Sequence, residues 1–156
     1  MNKVDNMEEV FKLFKIPYKE IAKRDREMIE LLFIFNVLLD IKTKYCCFGH
    51  KDEVIDSYVM FSDDTEDSKI IDLAKFLSQK EKVWNVSKVR KQIVFNRSLR
   101  WVNSNGEKIF FDNWKLDIHY CRRKITKNYK KKVIRELKRQ LYEYVEFQHN
   151  KYGSKV

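Results

Sequence analysis

Residues 28–41 leave the chain little choice about its architecture. Met28, Ile29, Leu31, Leu32, Phe33, Phe35, Val37, Leu38, Leu39 and Ile41 fall on nearly every side of a helix rather than along one stripe. A helix that is apolar all round is stable only when other parts of the protein surround it. The densest part, residues 31–39, is interrupted by Asn36 and falls well short of the roughly 20 residues needed to cross a bilayer. The segment therefore predicts a buried helix, with no insertion into a membrane. It feeds directly into Tyr45-Cys46-Cys47, so this helix and strand are the expected centre of the fold.

The flanks supply the remaining layers. Asp5 with Glu8 three residues later forms an Asp variant of the capping box, backed by Val10, Phe11 and Phe14, and predicts a helix to about Lys15. Pro17 ends it, and Asp25 is placed to cap the buried helix. Beyond His50, acidic residues (Asp52, Glu53 and Asp56, then Asp63, Asp64, Glu66 and Asp67) bracket a strand over 57–62. The second acidic group suits the start of a helix over 66–79, with Ile70, Ile71, Leu73, Ala74, Phe76 and Leu77 facing inward. From Val83 the period becomes alternating, with Val89, Ile93 and Phe95 inward and Lys88, Arg90 and Gln92 outward. Asn105-Gly106 is a hairpin signal because both turn positions need positive φ. Trp114, Leu116, Ile118 and Tyr120 then alternate with Lys115, Asp117, His119 and Cys121, which predicts three or four antiparallel strands in this region. Val133, Leu137, Leu141, Tyr144 and Val145 recur at helical spacing within a long final helix, residues 126–148.

The expectation is a single α+β domain over residues 1–150, with a flexible tail over 151–156. An antiparallel sheet is packed by a buried central helix and a long basic C-terminal helix. A chain of 156 residues buries an adequate core without staples, and three Gly with one Pro leave no linker.

Charge placement carries the strongest functional signal. The net charge of +10 favours an anionic partner. Nearly all of the excess sits in residues 122–139, where Arg122, Arg123, Lys124, Lys127, Lys130, Lys131, Lys132, Arg135, Lys138 and Arg139 face the single acid Glu136. Solvated helix faces usually mix signs, so the segment reads as an anion-binding surface, with a merely solvated face as the plain alternative. Lys88, Arg90, Arg97, Arg100 and Lys115 extend the positive charge toward the sheet. Trp101 and Tyr129 are either core residues or platforms for stacked bases.

The cysteines and histidines form a second constellation. Three cysteines, two of them adjacent, do not make a secreted disulfide framework, and the charged N-terminus does not read as a signal peptide. The expected location is therefore cytoplasmic. Cys47, His50, His119 and Cys121 are ligand types that zinc prefers. Alternatively Cys47 is a nucleophile activated by His50 and oriented through Asp52 or Glu53, or the turn is structural, with Gly49 at positive φ and His50 bonded within it. No Gly-rich phosphate loop, His-Glu-x-x-His helix or Gly-x-Ser-x-Gly elbow occurs, and no residue is assigned a catalytic role.

Cys47-Phe48-Gly49-His50 followed by Tyr58-Val59-Met60-Phe61 resembles a group of small phage-encoded proteins with a Cys-x-Gly-His turn, the likeness covering about residues 30–62. That group often carries a Gly-Tyr pair where this chain has Asp40-Ile41. The resemblance implies a phage or mobile-element origin, which the abundance of Lys, Asn, Ile, Phe and Tyr, typical of AT-rich coding, also suits. By analogy it implies an anti-CRISPR or other anti-defence inhibitor. The expected function is a non-enzymatic protein that docks through the basic helix onto nucleic acid or a nucleic-acid-loaded host complex and modulates it. The alternatives are a Cys/His site, zinc-bound or catalytic, acting on a nucleotide or RNA, and a direct protein inhibitor whose acidic 52–67 region imitates phosphates.

Overall fold

The computed structural model describes residues 3–49, 56–80, 91–120 and 125–153. Helix α1 (Lys3–Leu13) and the short α2 (Tyr18–Arg24) precede the buried segment. α2 had no counterpart in the sequence reading. The buried segment is not one regular helix. It begins with a 3₁₀ turn (Arg26–Met28), continues as α3 (Ile29–Phe33) and widens into a π-helical turn (Ile34–Leu38). Asp25 does not cap it. The carboxylate instead accepts a hydrogen bond from the backbone N–H of Phe48 at 2.9 Å, so a local cap has been exchanged for a long-range tie.

The interruption by Asn36 has a structural reason. Its amide, 3 % exposed, donates to the Leu32 carbonyl and to Thr43 Oγ1, both at 2.8 Å, and its carbonyl oxygen accepts from the Thr43 N–H at 3.0 Å. One polar side chain thus satisfies the backbone on both sides of the connection between the buried helix and the sheet.

Strands β1 (Thr43–Cys47), β2 (Ser57–Phe61), β3 (Lys91–Ser104) and β4 (Glu107–Tyr120) form an antiparallel sheet in the order β1-β2-β4-β3. The expected three or four strands around the hairpin are, among the described residues, two continuous strands of 14 residues each. Asn105 at φ 50° and Gly106 at φ 80° make their tight turn. Helix α4 (Asp67–Gln79) connects β2 to the later part of the chain, and α5 (Lys127–Gly153) closes it. The last helix thus runs past residue 150, into the segment expected to be a loose tail.

Alternation sorts the sheet into two faces. Val59, Phe61, Leu116 and Ile118 are wholly buried on the inner face. They pack with Phe11, Leu31, Ile34, Phe35, Ile70, Leu73, Val133, Leu137 and Leu141 in one hydrophobic core. Ile71, expected inward, is 45 % exposed, because the buried stripe of α4 is the narrower set Ile70, Leu73 and Leu77. Val89, Lys88 and Arg90 lie outside the described residues.

Only half of the hairpin belongs to this sandwich. β2 pairs with β4 over Ser57↔Ile118 to Met60↔Lys115, whereas β3 and β4 pair with each other all the way to Ser104↔Glu107. Beyond about Asn113 the hairpin is therefore a two-stranded arm.

Candidate nucleic-acid interface

Helix α5 presents two different kinds of cation. At 3.6 residues per turn, Lys127, Lys131, Lys132, Arg135, Lys138 and Arg139 fall within an arc of roughly 140°, away from the buried stripe of Val133, Leu137, Leu141 and Tyr144. Lys130 lies outside this arc. It is 6 % exposed, and its ammonium is 5.7 Å from the centre of the Phe48 ring and 5.5 Å from that of Tyr120. The sequence grouped Lys130 with the binding face; the structure places it inside the protein, where aromatic faces stabilise its charge. Arg122 and Arg123 lie outside the described residues.

Acids that the sequence did not connect with this helix border the basic arc. Glu27 reaches Lys127 at 3.7 Å and Lys131 at 3.9 Å, and Glu30 pairs with Lys138 at 2.9 Å. Arg139 bridges Glu136 and Glu143 along its own helix. Such partly exposed pairs are worth little, about 0–1 kcal/mol each, and an incoming phosphate can compete for their cations. Lys132 and Arg135 are exposed and have no ion pair among the described residues. Next to the arc, a cavity of about 560 Å³ has Met7, Val10, Ile29 and Phe33 as its apolar floor, with Lys138 and Tyr142 at the edge. Only the i, i+3 and i, i+4 pairs within α5 were visible in the sequence, because Glu27 and Glu30 lie about a hundred residues away.

Cys47, Phe48 and Gly49 of the expected Cys-x-Gly-His turn lie at the end of β1, with Phe48 against Lys130 of α5. Gly49 has φ 103°, as its expected role requires. Asp25 holds the Phe48 N–H, Ser57 Oγ donates to the Phe48 carbonyl at 2.5 Å, and Ser57 and Tyr120 share a hydrogen bond at 2.6 Å. With Lys130 over the ring, the backbone and side chain of Phe48 are both fully engaged. The Cys47 thiol is pushed above its ordinary value, first by burial and then by Asp25, although the Gly49 backbone and Lys130 partly counteract this. A nucleophilic cysteine needs the opposite direction.

The proposed zinc ligands are not gathered by the described structure. His50 and Cys121 lie outside it. Cys47 on β1 and His119 on β4 are separated by β2, which sets their backbones about 10 Å apart, and His119 Nδ1 is bonded to Asp56 at 2.5 Å. Among the described residues no group of three His, Cys, Asp or Glu side chains is placed to hold a metal ion.

A family model described as YoqC prophage protein matches residues 9–150. The chain belongs to the YoqC prophage protein family. The YoqC match runs from within α1 almost to the end of α5, so the Phe48 turn, the hairpin arm and the basic arc all lie inside it. No curated protein and no solved structure matches the chain. Among the described residues, no helix of this YoqC family member is long and apolar enough to cross a membrane.

Proposed function

We propose that this prophage protein is a non-enzymatic binder that works in the host bacterial cytoplasm. It docks through the outer face of α5 onto nucleic acid, or onto a host complex already loaded with nucleic acid, and inhibits or modulates it. An anti-CRISPR or other anti-defence role is one outcome of such docking. The observation that carries the reading is the arc of Lys127, Lys131, Lys132, Arg135, Lys138 and Arg139 on the side of α5 away from the core, with Lys132 and Arg135 exposed and unpaired among the described residues. Cations gathered on one helix face attract polyanions through counterion release and long-range steering, and Lys132 and Arg135 can meet a phosphate without first breaking an ion pair among the described residues.

The test is titration of labelled oligonucleotides against the wild-type protein and a Lys131→Glu, Lys132→Glu, Arg135→Glu triple variant. Loss of binding with an unchanged thermal midpoint is the expected result, since none of the three side chains is in the core. Unchanged binding would remove α5 from the interface.

A further inference from the structure

The distal hairpin arm exposes what a sheet normally hides. Trp101 and Phe110 are each 59 % exposed and Leu99 is 63 % exposed. Trp101 is directly opposite Phe110, with ring centroids 6.4 Å apart. Leu99, Trp101 and Phe110 have the strand parity of Phe95, Leu116 and Ile118, so they continue the core-facing side of the sheet past the point where a core exists. An isolated two-stranded ribbon is marginally stable in water, which makes an uncovered aromatic pair there costly unless it has a use.

Charge selects the occupant. On the face that carries Trp101 and Phe110, Asp112 is bonded to Arg97 at 2.6 Å, which leaves Lys108; Arg100 and Glu107 have the opposite strand parity, and the Arg100 guanidinium lies 5.8 Å from the centre of the Phe111 ring. Lys108 has no ion-pair partner among the described residues. No acid occurs on β3 anywhere from Lys91 to Ser104. A second copy adding to this free edge would bring Arg97 and Arg100 toward their own kind, an arrangement that cross-strand pairing disfavours. Aromatic faces beside an unpaired lysine match unpaired nucleotides, whose bases stack while a phosphate meets the ammonium. Bases inside a duplex cannot reach such a platform.

We infer that Trp101 and Phe110 form a stacking platform for unpaired bases, so that the ligand is single-stranded nucleic acid or a single-stranded stretch within a loaded complex. This rests on the nucleic-acid reading of α5 and specifies the ligand class.

The probes are oligothymidylate and an abasic sugar-phosphate strand of the same length, each titrated against the wild type, Trp101→Ala, Trp101→Phe and the α5 triple variant. Oligothymidylate should bind the wild type roughly tenfold more tightly than the abasic strand. Trp101→Ala should bring it down to the abasic level without changing abasic binding, and Trp101→Phe should restore most of the difference. Equal affinity for the two strands, or a Trp101→Ala protein that keeps the preference, overturns the inference and leaves the α5 reading standing if the triple variant binds neither. A preference that survives the triple variant removes α5 and keeps the platform. Light scattering of the same proteins provides a further check: a concentration-dependent dimer abolished by Trp101→Ala would assign the arm to a second copy and overturn the inference.

Discussion

The Lys130 ammonium lies over the Phe48 ring at 5.7 Å, joining the basic helix to the Phe48 turn at a buried contact. One of the ten cations that make residues 122–139 look like a binding surface is thus a structural part of the fold. Lys130→Ala is expected to cost about 2 kcal/mol, the scale of a desolvated cation–π contact, and to leave oligonucleotide affinity of the folded protein unchanged. Urea titration with a parallel binding assay checks both. A variant as stable as the wild type would show that Lys130 does not hold the turn.

Asn36 gives a second stability test. Replacing it with Leu keeps its branching and heavy-atom count and improves the local hydrophobic pattern, so sequence reasoning alone favours the change. The structure predicts the reverse: the Thr43 N–H would lose its acceptor in a half-buried setting, at about 1–3 kcal/mol. A Leu variant that matched or exceeded the wild type in a denaturant melt would refute this account of the connection.

Much of the fold was legible because single local patterns determine it. The all-round apolar segment predicted burial of Leu31, Leu32 and Phe35; alternation set apart Trp114, Leu116, Ile118 and Tyr120, of which the last three are buried and Trp114 partly so; Asn105-Gly106 predicted the turn. What was hidden depends on partners distant in sequence. Asp25 has the residue type and position of a helix cap, and only the fold brings Phe48 to it. Lys130 has the same local appearance as Lys131, and only the packing of β4 and the Phe48 turn separates their roles. The arm was half legible: Leu99, Trp101 and Phe110 have a normal strand pattern, but their exposure follows from β2 having five residues against fourteen in β4.

Alkaline titration should report on the acids whose protons the fold holds. Burial, then Asp25 and the neighbouring Cys47, push the Cys46 thiol from 9.0 to about 12. Partial desolvation, then the Glu30 carboxylate that accepts a hydrogen bond from its hydroxyl at 2.8 Å, push Tyr142, still 37 % exposed, from 10.0 to about 12, and Tyr120 is raised too, chiefly by burial. The folded chain holds these protons more tightly than the unfolded chain does, so the stability they contribute is complete below about pH 9 and is lost as pH rises toward 12. The denaturation midpoint should fall across that window, with a shallower fall in Cys46→Ala and Tyr142→Phe. A midpoint independent of pH from 9 to 12 would contradict the raised values of Cys46, Tyr120 and Tyr142.

Salt dependence separates the charges of α5 from the aromatics of the arm. Each cation that neutralises a phosphate on a single strand adds about 0.7 to the slope of log affinity against log salt concentration. Stacking adds affinity with almost no slope. Lys132→Gln and Arg135→Gln should therefore each flatten the slope by about that amount, and the double variant should flatten it by their sum, because the two side chains engage no common partner. Trp101→Ala should instead lower affinity by a similar factor at every salt concentration, leaving the slope where it was. If Trp101→Ala flattened the slope as much as Arg135→Gln did, the arm would be contributing charge rather than stacking, and Lys108, on the same face, would replace the aromatic pair as its working residue.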